Sequence, residues 1–314
     1  MEIVLFVVVA VALLCIVSGV YTFFAACLRR KELPWLVEKE IKQTPYGKYY
    51  DFISNSNQWL IDHNYQEISV KSYDGLTLYA RWVPAKNPRG TVLFAHGYRS
   101  TVLVDVGTAF EYFHNLGMNL LIPDHRSHGK SEGRYITFGV KESRDMVSWM
   151  EYHNEHFGEF PVVLDGVSMG AATVMYVPRL NYPKNLKAMI ADCGFTSPKD
   201  IISVVFRRVT HLPAVPSIWI ADLCARLFAG FSLYECDSRK TLSGSPIPIV
   251  MAHGSADDFV PCQMSKESFA ACASPKQLLL AEGAGHGLSF LVEREKYVKL
   301  IEAMLDQYVG PMPQ

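Results

Sequence analysis

Asp165-Gly-Val-Ser168-Met-Gly170 follows the apolar run Phe160-Pro-Val-Val-Leu164 and leads into the small-residue stretch Ala171-Ala-Thr-Val-Met-Tyr176. The order is strand, sharp turn, helix, with Ser168 at the apex. A turn that tight leaves little room for side chains, which accounts for glycines two residues before and two after the serine. The stretch reads as a nucleophile turn. A serine hydroxyl is a poor nucleophile near neutral pH, so it needs a neighbouring base, and the base needs an orienting carboxylate. Asp257 in His253-Gly-Ser-Ala-Asp257-Asp-Phe-Val-Pro261 and His286 in Gly283-Ala-Gly-His286-Gly287 both follow predicted strands. All three candidates thus sit beyond the carboxyl ends of strands, where open α/β sheets place their sites. Asp258 competes with Asp257, and His253 with His286. Asp258 also reads as a capping or solvent-facing residue, and His253 as a histidine that holds its loop by hydrogen bonding.

Outward from this turn, 66–71 and 77–83 alternate polar and apolar residues with period two around Asp74-Gly75, an antiparallel hairpin. Short apolar runs then alternate with helical patterns. The strands fall at 91–95, 119–122, 161–164, 186–191, 247–252 and 277–281. The helices fall at 104–116, 139–153, 169–178 and, closing the chain, 290–309. This alternation predicts a mostly parallel central sheet with helices on both faces. Residues 198–240 interrupt the rhythm. They read either as a small helical cap or as an ordinary crossover with one extra helix.

His96-Gly97-Tyr98 follows the strand at 91–95. The backbone N–H groups of Tyr98 and Met169 are the expected oxyanion donors. Asp165 and the cap residues Trp219, Leu223, Leu227 and Phe228 are the expected substrate contacts; Asp165 reads equally as a hydrogen-bonded loop residue. In Asp124-His-Arg126-Ser-His128-Gly129, a structural role is expected, with Asp124 and Arg126 pairing to brace the loops. His125 and His128 complete no recognised metal-ligand spacing, so no metal is expected.

Residues 3–28 are 26 consecutive positions without a charge. As a helix they would rise about 39 Å, enough to cross a hydrocarbon core of roughly 30 Å with some tilt. A cleaved signal peptide is the competing reading; the length and the lack of a preceding basic residue argue against it. Arg29, Arg30 and Lys31 follow at once, which points to a single span with the domain in the cytoplasm; a secreted or extracytoplasmic domain is the alternative. The expected organisation is an anchor over 1–30, an approach segment over 31–64 and one domain over 65–314. Trp35, Leu36, Ile41, Tyr49, Phe52, Trp59 and Leu60 would pack the approach segment onto that domain.

Basic and acidic residues nearly cancel, 30 against 31, which argues against a nucleic-acid binder held by phosphate contacts. Seven cysteines, an odd number without zinc or redox spacing, argue against a disulfide framework.

Leu93-Phe-Ala-His-Gly-Tyr98, Pro123-Asp-His-Arg-Ser-His-Gly-Lys-Ser-Glu-Gly133, Gly166-Val-Ser-Met-Gly-Ala-Ala-Thr173, His253 to Pro261 and Gly283 to Gly287 together resemble the α/β-hydrolase superfamily, most of all membrane-anchored or secreted bacterial esterase-like serine hydrolases. The resemblance implies Ser168 as nucleophile, Asp257 as acid, His286 as base, and no cofactor. Ser127 stands where relatives usually carry glycine, and Asp165 where they often carry histidine or another residue. The expected activity is cleavage of a small carboxylic ester with an apolar part. A peptidase or amidase of the same fold, and a non-catalytic membrane-tethered binding protein, are the alternatives.

Overall fold

The computed structural model describes residues 1–30, 42–44, 46–100, 105 and 107–312. Eight strands form one sheet: β1 (Gln66–Lys71), β2 (Thr77–Val83), β3 (Gly90–Ala95), β4 (Met118–Pro123), β5 (Val162–Val167), β6 (Leu186–Asp192), β7 (Ile249–Gly254) and β8 (Lys276–Ala281). Their order across the sheet is β1-β2-β4-β3-β5-β6-β7-β8. The hairpin β1–β2 joins antiparallel to β4, and every later pairing is parallel. Parallel strands covered on both faces read as continuous apolar runs, and β3, β4 and β7 are buried at every position.

One face packs Leu93, Leu121, Leu164, Met189 and Met251 against α4 (Glu142–Phe157) and α5 (Met169–Tyr176). The other packs Val92, Phe94, Val163, Ile190 and Val250 against α3 (Phe110–Asn115) and α11 (Arg294–Tyr308). Register makes this consistent: Leu93 pairs with Leu164 and Leu164 with Met189, so neighbours across the parallel strands share a face. The remaining helices are α1 (Glu2–Cys27), α2 (Tyr50–Asp62), α6 (Pro198–Thr210), α7 (Ser217–Cys224), α8 (Ser238–Ser243), α9 (Cys262–Ala271) and α10 (Ser289–Val292).

Several expected elements differ in extent: the helix over 139–153 runs Glu142–Phe157 and the strand over 247–252 runs Ile249–Gly254. The helix expected over 104–116 is a 3-10 turn, Gly107–Ala109, followed by α3; residues 104 and 106 lie outside the described residues. The strand expected over 161–164 runs on through Val167 because Asp165 and Gly166 keep pairing with β3 and β6. The closing helix is broken at Glu293 between α10 and α11.

The segment 198–240 holds α6, α7, a π-helical turn over Ala225–Ala229 and α8, so it is a helical insertion between β6 and β7. Pro198 at the first turn and the Ser197 side chain accepting from the Asp200 N–H start α6. Of the approach-segment residues, Leu60 is buried in the core and Trp59 packs against it. The Phe52 ring lies 5.0 Å from the Arg294 guanidinium, while Trp35, Leu36 and Ile41 fall outside the described residues.

Among the described residues, α1 alone is long and apolar enough to cross a membrane. Its first part is exposed, but its end is built into the domain, with Phe23 and Cys27 fully buried among cap residues. Beyond it, Ile136 N–H donates to the Cys27 carbonyl at 2.7 Å. The Arg29 guanidinium donates to the carbonyls of Ser131 and Gly129, each at 2.7 Å.

Candidate active site

Ser168 ends β5 and opens α5 with φ 58° and ψ −114°, a conformation side-chain-bearing residues rarely adopt. The surrounding glycines permit it. A Cβ on Gly166 would lie 2.3 Å from the Gly170 carbonyl oxygen, and one on Gly170 only 1.8 Å from that of Ala95. The Ser168 N–H is fixed by the Asp192 carbonyl at 2.8 Å.

The two loops named from sequence meet this serine. His286 Nε2 lies 2.9 Å from Ser168 Oγ, and its Nδ1 lies 2.7 Å from Asp257 Oδ2. The arrangement fits one tautomer: Nδ1–H donates to the carboxylate and Nε2 accepts from the hydroxyl. The other Asp257 oxygen accepts from the Phe259 and Val260 N–H groups at 2.8 and 2.9 Å. Burial pushes the Asp257 carboxyl up, but hydrogen bonds from His253, His286 and Val260 outweigh it and hold the group well below the usual carboxylate range. It is therefore a charged carboxylate near neutral pH.

The competing residues are placed elsewhere. Asp258 is exposed. His253 is fully buried, with Nδ1 2.7 Å from Ser265 Oγ and Nε2 3.0 Å from the Val260 carbonyl and 3.1 Å from Asp257 Oδ2. It holds the loop of Asp257 through Val260 and has no hydrogen bond to Ser168.

Gly97 N–H donates to Asp105 Oδ2 at 2.6 Å, and Ser100 Oγ donates to the other carboxylate oxygen at 2.8 Å. With the Gly97 amide engaged, the next N–H, that of Tyr98, is left without a protein acceptor among the described residues. The Met169 N–H, at the start of α5, is in the same position. Behind this loop three imidazoles pack together. His96 Nδ1–H donates to the Gly97 carbonyl at 2.9 Å and Nε2 accepts from the His125 N–H at 3.0 Å. His128 Nε2 accepts from the Arg99 N–H at 3.1 Å. Burial, then the neighbouring imidazoles, drives His96 and His128 well below the usual histidine range and His125 down to about 3. All three are neutral braces.

The expected Asp124–Arg126 pair does not form. Asp124 binds Arg81 at 2.9 Å, whereas Arg126 grips Asp145 at 2.6 Å through Nε and Nη2 and Asp74 at 2.9 Å. Each charge finds its partner on a different element, β2 and α4, so the loop is braced from two sides.

A cavity of about 360 Å³ opens over Ser168, with Tyr98, Phe138, Phe195, Phe206, Phe259 and Val260 around it. The residues expected to contact substrate are not there. Trp219, Leu223 and Leu227 are 60, 54 and 70% exposed and do not line the cavity, and Phe228 stacks on Phe23 of α1 at 6.0 Å. Residues of α1 line the cavity where these four were expected. Asp165 also lies away from the cavity. It pairs in register with Phe94 and Ile190, so it points into the layer beneath α11. There burial, then the Asp192 charge, pushes its carboxyl up to about 8.

Several contributors escaped sequence reading. Tyr46, from the approach segment, donates its hydroxyl to the His286 carbonyl at 2.9 Å. The Phe259 ring stands edge-on to the His286 imidazole at 5.1 Å. Ser18, Thr22 and Ala25 of α1 line the cavity. Only Phe259 carried a signal, its place two residues after Asp257. Cys193 Sγ lies within 4.8 Å of the Asp257 and His286 ligand atoms, but burial raises its thiol well above the usual range, which disfavours the thiolate a metal needs.

Residues 86–243 match the family described as Serine aminopeptidase, S33. The chain belongs to that family of α/β hydrolases. It is 29% identical over 243 residues to the uncharacterized protein YqkD of Bacillus subtilis, covering 76% of this chain and 78% of the relative. It is 27% identical over 218 residues to the protein bem46 of Schizosaccharomyces pombe, with 68 and 67% covered. Among solved structures it is similar to an esterase of Pyrococcus furiosus, at a TM-score of 0.64 and 20% identity, covering 81% of this chain and 95% of that one. At that identity the likeness speaks for the fold.

Proposed function

We propose that this hydrolase cleaves carboxylic esters with an apolar part through Ser168, His286 and Asp257. The observation that carries the reading is the continuous relay, 2.9 Å from Ser168 Oγ to His286 Nε2 and 2.7 Å from Nδ1 to Asp257, at the floor of an apolar cavity. His286 Nε2 takes the hydroxyl proton as Ser168 Oγ bonds to the ester carbonyl carbon. The Tyr98 and Met169 N–H groups hold the oxygen on which charge grows. As the intermediate collapses, the carbon–alkoxy bond breaks and His286 gives its proton to the leaving alcohol. Water, deprotonated by His286, then attacks the acyl carbon; the carbon–Oγ bond breaks, His286 returns the proton to Ser168 Oγ, and the carboxylic acid leaves. Asp257 keeps the imidazole in the tautomer this needs. The cycle requires no cofactor.

Ser168→Ala should lower p-nitrophenyl butyrate hydrolysis by about 10⁴-fold or more with an unchanged melting temperature. Turnover at the parent rate in that variant overturns the reading. The family's description raises a second reading, release of an amino-terminal residue. Such an enzyme has to hold the substrate's ammonium group, and the described residues lining the cavity include no carboxylate. Ester hydrolysis should therefore exceed hydrolysis of aminoacyl nitroanilides; the opposite preference would favour the peptidase. Fluorophosphonate labelling separates both from a binding protein without activity.

The helix α1 is read as a retained anchor, because its last turns are packed into the domain rather than left as a detachable leader. The basic residues after it favour a cytoplasmic domain. Protease added to intact cells should leave the domain undigested; digestion from outside reverses the orientation.

A further inference from the structure

The wall of the cavity opposite the cap belongs to α1. Ser18, Thr22, Ala25 and Ala26, spaced along one side of that helix, line it together with Tyr21. They face Ile202, Val205, Phe206 and Val209 of α6 across the gap. The lining is overwhelmingly apolar, and the Thr22 hydroxyl is already committed to the Ser18 carbonyl at 2.8 Å. From Ala26, beside the Tyr98 ring, out to Ser18, the groove follows α1 for about 12 Å at 1.5 Å per residue. The helix and cap are in direct contact there: a Cβ on Gly19 would lie 2.5 Å from Ile220 Cβ.

The outer end of this groove meets the exposed part of α1. Residues 3–17 are almost wholly exposed and uncharged. They rise only about 23 Å, short of a hydrocarbon core of roughly 30 Å. If α1 spans, the stretch from Ser18 onward must supply the rest, and it brings the cap to the membrane surface. The cap's outer face suits that position. Leu212, Trp219, Leu223 and Leu227 are each more than half exposed, as is Val209 at the cavity's edge, and Arg207 and Arg208 stand exposed at the end of α6. Apolar residues that dip among chains, with cations at headgroup level, are what an interfacial surface needs.

We propose that the cavity is loaded from the bilayer: the substrate is a long-chain ester of a membrane lipid, and its acyl chain lies between α1 and α6 with the carbonyl carbon at Ser168. The proposal rests on the ester-hydrolase reading and adds the substrate's source and path. It also gives α1 a second role, as part of the binding site.

The test uses the full chain in lipid nanodiscs and two fluorophosphonates, one with an ethyl group and one with a hexadecyl chain ending in a diazirine. In both, the Ser168 Oγ–P bond forms, fluoride leaves and His286 accepts the hydroxyl proton. Irradiation then joins the chain's end to what it touches. Cross-links on the peptide containing residues 18–26 or on α6 are expected; cross-links confined to other segments overturn the proposal. If the ethyl probe also fails to label Ser168, the hydrolase reading itself falls and takes the proposal with it. In parallel, Thr22→Trp should lower the ratio of long-chain to butyryl ester kcat/KM by at least about tenfold. An unchanged ratio in labelled, folded Thr22→Trp protein contradicts the chain's path.

Discussion

Ser168 holds a backbone conformation that costs on the order of 1–3 kcal/mol, and the glycines around it are what make that conformation possible. Gly170→Ala should destabilise the fold by more than about 3 kcal/mol, because the added methyl meets the Ala95 carbonyl and not a movable side chain. Urea unfolding would measure it, and parent-like stability would show that α5 can shift. Asp257→Asn should retain the fold but lose about 10⁴-fold in kcat, since an amide no longer selects the Nδ1–H tautomer. Asp165 gives a pH signature instead. Its carboxyl is pushed up to about 8 in the fold from an ordinary 3.8. The folded state thus holds a proton that the unfolded chain has released, and this contribution to stability is present below about pH 4 and lost as pH rises to about 8. Asp165→Asn should therefore lose less stability than the parent between pH 5 and 8. Parallel unfolding curves for the two proteins would contradict that.

At the scale of elements, legibility followed periodicity. The hairpin β1–β2 was readable to the residue because one of its faces is exposed enough to alternate. The parallel strands were readable as short apolar runs, yet their ends were not, since β5 continues through Asp165 and Gly166, which look like loop residues. The helix α9 follows Pro261 without a strong apolar stripe and was not visible, nor was α2, read only as packing residues. Ser168, Asp257 and His286 lay in recognisable motifs at strand ends, so their meeting in space was legible in the sequence. The contributions of Tyr46 and α1 were not, because they come from distant chain segments brought in by tertiary packing. Tyr46→Phe removes the bond to the His286 carbonyl, worth about 1 kcal/mol. It should lower kcat several-fold with KM nearly unchanged; equal kcat would show that the His286 loop is held by other contacts.

At the scale of the whole molecule, two designs meet at one cavity: an α/β sheet that presents a serine between two loops, and an apolar helix whose end is packed under the cap. Under the proposed function the first moves a proton at Ser168, and under the further inference the second selects the molecules that reach it. The central claim is that the relay activates this one serine. Mass spectrometry of the full chain after ethyl fluorophosphonate treatment tests it most directly. A single adduct on the peptide containing Ser168 is expected, with little or none in His286→Ala at the same probe concentration and time. An adduct on another residue, or undiminished labelling of Ser168 in the His286→Ala protein, would contradict it.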